Sequence, residues 1–134
     1  MAVTCIDGRI QDAVREQLRA RCGVQFVDTV TLPGPDSALA AGLGGLEATV
    51  DAIDVSLTAH DSGCVVVVGH TDCAANPVDD ATHHDQVERA VRHLRASRPD
   101  VVVKGLLLHT GTATVTVVDD GATPRPALPE ETTR

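Results

Sequence analysis

Two short segments of the chain carry residue types that bind metal ions. The segment AVTCIDGR contains Cys5, Asp7 and Arg9, and the segment VVVVGHTDC contains His70 and Cys73. Two thiolates and one imidazole are ligands that Zn²⁺ prefers, and three protein ligands leave the fourth tetrahedral position to water or a substrate. The pattern therefore predicts a catalytic zinc site with Cys5, His70 and Cys73 as ligands.

Each set of candidate ligands lies at the carboxyl end of a predicted strand. Residues 2–6 form an apolar, partly β-branched run that ends in Asp-Gly, and residues 64–68 form an apolar run that ends in Gly69. Such runs are typical of buried parallel strands. Neighbouring strands lie about 4.8 Å apart, and ligands bind beyond the carboxyl ends of an open α/β sheet where the strand order reverses. We therefore expect these two strands to be neighbours.

The remaining patterns complete an α/β sheet. Ile10, Val14 and Leu18 recur at helical spacing, with Gly23 placed to end the helix. Helices are predicted over residues 10–21, 46–59 and 84–97, further strands over 24–30, 101–109 and 114–118, and loops over 31–45 and 76–81. The expected fold is a mostly parallel sheet of about five strands in the order 2-1-3-4-5. Its last strand is antiparallel, and helices flank the sheet.

Length and composition favour one domain. The chain has 134 residues, of which 1–121 carry the periodic patterns. Residues 122–134 lack periodicity, which predicts a disordered tail. The net charge of −8 argues against a nucleic-acid or anionic-membrane partner. No apolar span of about 18 residues and no signal peptide is present, so we expect a cytoplasmic protein whose four cysteines are thiols or ligands.

The paired motifs resemble those of the β-class carbonic anhydrases. Cys-x-Asp-x-Arg at residues 5–9 and His-x-x-Cys at residues 70–73 carry the resemblance, which extends over residues 2–120. It implies a zinc enzyme that interconverts carbon dioxide and bicarbonate. It also implies a small-molecule substrate and a homodimer or higher homo-oligomer.

Each motif residue has a chemical role in such an enzyme. A zinc ion lowers the pKa of a bound water to about 7, so that a hydroxide nucleophile exists at neutral pH. Asp7 would accept a hydrogen bond from that hydroxide and orient it, and Arg9 would keep Asp7 ionised. In the resembled family the same Asp can instead occupy the fourth zinc position in a resting state.

The sequence departs from the family at several places. The chain starts at the first strand, where family members usually carry N-terminal helices that wrap around the partner subunit. Residues 32–35 read Leu-Pro-Gly-Pro where the family commonly has Arg-Asn-Ala-Gly, and Ala74 stands where Gly is usual. Phe26 is the one aromatic residue, so an aliphatic pocket wall from Val30, Leu32 and Leu39 is expected.

Other functions and simpler roles remain open at this point. A related hydrolase could use the same zinc site on CS₂ or COS, and a noncatalytic zinc-stabilised dimeric module would need only the ligands. Taken singly, Cys5 could be a small buried hydrophobe. Asp7 and Arg9 could close a turn, and His70 and Cys73 could cap the following helix.

The other cysteines and histidines have weaker signals. Cys22 and Cys64 are predicted to be free thiols at a helix end and a strand start, and a bridge between them is possible but is not favoured by the compartment. His83 and His84 follow the metal-site loop, where a proton shuttle is conceivable, although a helix-entry role is favoured. Asp72 is predicted to cap a helix or contact a ligand-bearing loop rather than bind metal.

Overall fold

A computed structural model, which describes residues 1–121, places five strands in one sheet. The strands are β1 (Ala2–Thr4), β2 (Thr29–Thr31), β3 (Cys64–His70), β4 (Val102–His109) and β5 (Thr114–Asp119). Their order across the sheet is β2-β1-β3-β4-β5, and only β4 and β5 pair in antiparallel fashion. The predicted α/β fold and strand order are confirmed. The disordered tail predicted for 122–134 lies outside the described residues.

Four α-helices connect the strands. They are α1 (Gln11–Cys22), α2 (Pro35–Ala40), α3 (Glu47–Ala59) and α4 (Asp80–Ser97), and a 3₁₀ helix at Gly8–Ile10 leads into α1. Gly23 ends α1 as predicted, because its φ of 63° lies in the left-handed region and its N–H bonds the Arg19 carbonyl at 3.0 Å. Among the described residues, no helix has the length and apolarity to cross a membrane.

The central strand β3 is buried on both faces. Val65 and Val67 of β3 belong to the cluster that α4 supplies with residues such as Val91, whereas Val66 and Val68 pack in the cluster of α1. Successive side chains of a strand point to opposite faces. A strand covered on both sides therefore needs an unbroken apolar sequence, which explains the run at the start of β3.

The structure corrects the predicted second strand and the loop after it. The strand predicted at 24–30 forms only at Thr29–Thr31, because β2 is an edge strand that pairs with the three residues of β1. Phe26, within the predicted strand, is 80% exposed. The predicted loop 31–45 contains α2, which Pro35 starts at a favoured helical position and whose Leu39 is fully buried. The stabilisation from burial of Leu39 outweighs the low helix propensity of the Gly and Pro residues in this segment.

Helix α4 begins four residues before its predicted start at residue 84. The carboxylate of Asp79 accepts a hydrogen bond from the backbone N–H of Thr82 at 2.8 Å and caps the helix. The apolar stripe alone does not reveal this first turn, since only His83 within it is buried.

Helix α4 packs against two glycines of the sheet. A Cβ at Gly105 of β4 would lie 2.7 Å from Val87 Cγ1 and 2.9 Å from Val91 Cγ2. A Cβ at Gly69 of β3 would lie 2.8 Å from Asp36 Oδ2. The two glycines therefore allow α2 and α4 to approach the strands more closely than any side chain would permit.

Replacing Gly105 with alanine should destabilise the fold by overpacking this contact. We expect Gly105→Ala to lower the free energy of unfolding by about 1–3 kcal/mol, measured by urea denaturation. Gly111→Ala is the matched control, because a Cβ there meets no atom within 4 Å. Equal stability of the two variants would contradict the tight contact between α4 and β4.

Candidate metal centre

The three predicted metal ligands meet at the carboxyl ends of β1 and β3. Cys5 follows β1 directly, His70 is the last residue of β3, and Cys73 lies in the turn after it. The parallel pairing of Val3 with Val67 sets the two strand ends side by side. All three side chains are buried, and their ligand atoms lie within 4.8 Å of one another. These residues could hold a metal ion.

The separation of the two sulfurs suits a tetrahedral ion. Cys5 Sγ and Cys73 Sγ are 3.9 Å apart. Two sulfurs bound tetrahedrally to one Zn²⁺, each at about 2.3 Å, lie about 3.8 Å apart. Burial raises the pKa of the Cys73 thiol, and a bound cation would favour the thiolate instead. The donor set therefore fits zinc in both chemistry and spacing.

The imidazole of His70 is oriented for coordination. Its Nδ1 lies 2.9 Å from the Thr71 carbonyl and 3.0 Å from Thr110 Oγ1. A carbonyl accepts only a hydrogen bond, so the proton belongs on Nδ1 and the lone pair on Nε2. Nε2 is buried and has no hydrogen-bond partner within residues 1–121. A metal ion would satisfy this buried nitrogen.

Asp7 and Arg9 form an ion pair beside the predicted ligands. The Arg9 guanidinium donates to both carboxylate oxygens of Asp7, with Nη2 at 2.7 Å from Oδ2 and Nε at 3.1 Å from Oδ1. These hydrogen bonds, with one from the Arg9 backbone N–H, lower the pKa of Asp7 to about 2. Asp7 is therefore an anion across the physiological pH range.

Arg9 also links the two loops that carry the ligands. Its Nη1 donates to Asp72 Oδ2 at 3.0 Å and its Nη2 to the Asp72 carbonyl at 2.9 Å. Asp72 has a φ of 55°, a left-handed conformation that turns the chain between His70 and Cys73. Asp72 thus contacts the site through Arg9, as expected of a residue that is not a ligand.

Sequence reasoning missed the role of Gln11. Its side-chain amide donates to the Cys5 carbonyl at 2.8 Å and to the Asp7 carbonyl at 2.8 Å. These bonds hold the backbone on either side of residue 6, between a proposed ligand and the Asp-Arg pair. The sequence feature that could have indicated this role is a side-chain amide at the start of a helix, shortly after an Asp-Gly turn.

A buried polar network supports the second loop. His83 Nδ1 lies 2.6 Å from Asp36 Oδ2, and Asn76 Nδ2 donates to Asp36 Oδ1 at 3.1 Å and to Gln86 Oε1 at 2.7 Å. The Asn76 backbone N–H bonds the Cys73 carbonyl at 3.2 Å. The turn that carries Cys73 is therefore anchored to α2 and α4.

The network changes the interpretation of the two adjacent histidines. His83 is fully buried against Asp36, which falls within the predicted loop, so no sequence pattern paired them. His84, by contrast, is half-buried, and its Nδ1 lies 4.0 Å from Glu88 Oε1 on α4. His83 thus lies in the first turn of α4, in agreement with a helix-entry position, and its side chain is buried in the interior.

The residues expected to form an aliphatic wall pack mainly into the core. Leu39 is fully buried in the cluster of α4, and Val30 and Leu32 pack against the same cluster. The Leu32 N–H bonds the Thr4 carbonyl at 3.1 Å, which brings the Leu-Pro-Gly-Pro segment beside Cys5. Leu32 is therefore bonded to Thr4, the residue that precedes the proposed ligand Cys5.

Comparisons with known proteins agree with this architecture. A family model described as "Putative carbonic anhydrase" matches residues 1–119. No match is found among curated proteins.

Solved carbonic anhydrases share the fold. The β-carbonic anhydrase isoform I of Trichomonas vaginalis is 19% identical with a TM-score of 0.59, over 90% of this chain and 82% of that one. A carbonic anhydrase of Streptococcus mutans is 18% identical with a TM-score of 0.60, over 88% and 80% of the respective chains. Because the family model matches most of its length, the chain belongs to the carbonic anhydrase family, as a divergent member with the fold of the β class.

Proposed function

We propose that the protein catalyses the reversible hydration of carbon dioxide to bicarbonate in a zinc-dependent reaction. The observation that carries the proposal is the buried group of Cys5, His70 and Cys73 beside an Asp7 held by Arg9, in a chain of the carbonic anhydrase family. A structural metal site needs four protein ligands and no such pair. The arrangement favours catalysis over a purely structural role.

The proposed metal ligands are Cys5, His70 and Cys73. Zn²⁺ bound by two thiolates and an imidazole keeps a fourth position and lowers the pKa of a water there toward 7. His70 would bind through Nε2, because Nδ1 faces the Thr71 carbonyl. The Thr71 and Thr110 contacts would fix the plane of the imidazole ring, as is usual for metal-ligating histidines.

Asp7 and Arg9 are the proposed catalytic residues. With its pKa lowered to about 2, Asp7 accepts hydrogen bonds and cannot donate one at neutral pH. It would accept a hydrogen bond from the oxygen nucleophile and so direct a lone pair of that oxygen toward the substrate carbon. Arg9 keeps Asp7 ionised and binds both of its carboxylate oxygens. This supports an arrangement in which water, rather than Asp7, occupies the fourth metal position.

Removal of the Asp7 carboxylate should slow hydration without loss of the metal. We expect Asp7→Ala to retain about one zinc per chain and to hydrate carbon dioxide about 10- to 100-fold more slowly. The rate is measured by stopped-flow hydration from about pH 6.5 to about pH 9, because a water with a pKa near 7 ionises in this range. Zinc content is measured by elemental analysis.

Asp12→Ala is the matched control for Asp7→Ala. The Asp12 carboxylate is 94% exposed, and its ion pair among residues 1–121 is with Arg15, at 3.4 Å. Its loss should leave the rate unchanged. An Asp7→Ala variant as fast as the wild type would contradict the role of the pair. A zinc-loaded wild type that hydrates no carbon dioxide would overturn the proposed activity and direct the assay to CS₂ and COS.

We also propose a homodimer. Within residues 1–121, strand β5 is an edge of the sheet that pairs only with β4, and its Val117 is 44% exposed. An edge strand presents unpaired backbone groups that a second chain can bind. Light scattering at micromolar concentration should give twice the chain mass. A monomeric mass would contradict the dimer and leave the metal centre unaffected.

A further inference from the structure

A second pair of thiols lies at the opposite end of β3 from the metal centre. Cys64 begins β3 and Cys22 ends α1, and their Sγ atoms are 3.8 Å apart. Both cysteines are free and partly exposed. Six residues of strand separate Cys64 from His70, which corresponds to about 20 Å. The second pair is therefore remote from the proposed zinc ligands.

The two thiol pairs differ in what surrounds them. Cys5 and Cys73 share His70 as a third ligand. Within the described part of the chain, no His, Cys, Asp or Glu completes a group of three with Cys22 and Cys64. Two thiolates alone do not supply the ligands of a zinc site. The short distance between the two sulfurs instead suits thiol–disulfide exchange.

Solvent reaches the second pair through a cleft. A cavity of about 690 Å³ is lined by both cysteines, with Leu18, Phe26, His60 and Lys104 among its other walls. This volume admits a small-molecule oxidant. The proposed metal ligands do not line this cavity, so an oxidant that enters it meets Cys22 and Cys64.

Partial burial disfavours the thiolate form of Cys64. Burial raises the pKa of the Cys64 thiol, and the neighbouring Cys22 adds to the effect. The N-terminal ammonium, which donates to the Cys64 carbonyl at 2.9 Å, and Lys104 act in the opposite sense. Because the thiolate is the reactive form, Cys64 reacts with a disulfide through its thiolate fraction, which the raised pKa keeps small.

We propose that Cys22 and Cys64 are a redox-modification site at which a low-molecular-weight disulfide produces an intramolecular disulfide. One thiolate attacks a sulfur of the oxidant, which breaks the S–S bond of the oxidant and releases its first thiol. The second thiolate then attacks the protein sulfur of the mixed disulfide and releases the second thiol. The two cysteines lose two protons and two electrons, and the oxidant is reduced to two thiols.

Closure of the bond needs only a local adjustment. The Sγ separation must fall from 3.8 Å to about 2.05 Å. Cys22 is the last residue of α1 and Gly23, with a φ of 63°, follows it, so the end of the helix can adapt without a change in the sheet. The bond would join positions 42 residues apart, which restricts the unfolded chain and raises the melting temperature.

The test is oxidation of the zinc-loaded protein with oxidised glutathione. After alkylation of free thiols, intact mass and peptide mapping should show a single crosslink between Cys22 and Cys64 that dithiothreitol reverses. Zinc content should not change, and the melting temperature should rise by several degrees. The crosslink is identified by mass and peptide mapping, so this result does not depend on whether Cys5, His70 and Cys73 bind zinc. Failure of one proposal can therefore be distinguished from failure of the other.

Two variants distinguish a crosslink from unrelated thiol reactions. Cys22→Ser should abolish the crosslink and leave Cys64 with one bound glutathione, and Cys22→Ala should do the same if the serine variant folds poorly. Circular dichroism checks that each variant is folded. Separate glutathione adducts on both cysteines of the wild type, a crosslink to any other cysteine, or no reaction at all would overturn the proposal.

Discussion

The parallel pairing of β1 with β3 is the constraint on which the site depends. Val3 lies opposite Val67, and so the chain leaves both strands at the same edge of the sheet. A shift of one residue in this register would move every side chain to the other face of the sheet, where it would meet different packing partners. Cys5 and His70 could not stay in reach of one ion after such a shift. The aliphatic packing on both faces of β3 therefore positions the proposed ligands.

The loops beyond the strands are held by polar contacts of two kinds. On the solvent side, Arg9 joins Asp7 to Asp72 and thereby joins the two ligand-bearing loops. On the interior side, Asp36 and His83 are buried together with Asn76, next to Gly69. Buried polar groups are costly unless they are paired, which makes such a network specific for one arrangement of the loop. Between them, these contacts leave the turn at Cys73 little freedom.

Sequence patterns predicted the features that follow from local rules. The apolar runs identified β3 and β4, helical spacing and Gly23 located α1, and the two motifs singled out all five proposed site residues before their positions were known. Sequence did not reveal α2, because its Gly- and Pro-rich surroundings resemble a loop and burial of Leu39 stabilises the helix. The partners of Gln11 and His83 were also out of reach, since both contacts exist only after distant elements pack together.

The central claim is that Cys5, His70 and Cys73 bind one zinc ion. X-ray absorption at the zinc edge of the purified protein tests it directly. We expect two sulfur neighbours at about 2.3 Å and one nitrogen at about 2.0 Å, with one further light ligand. A spectrum with no sulfur neighbours, or with four of them, would contradict binding by these three residues.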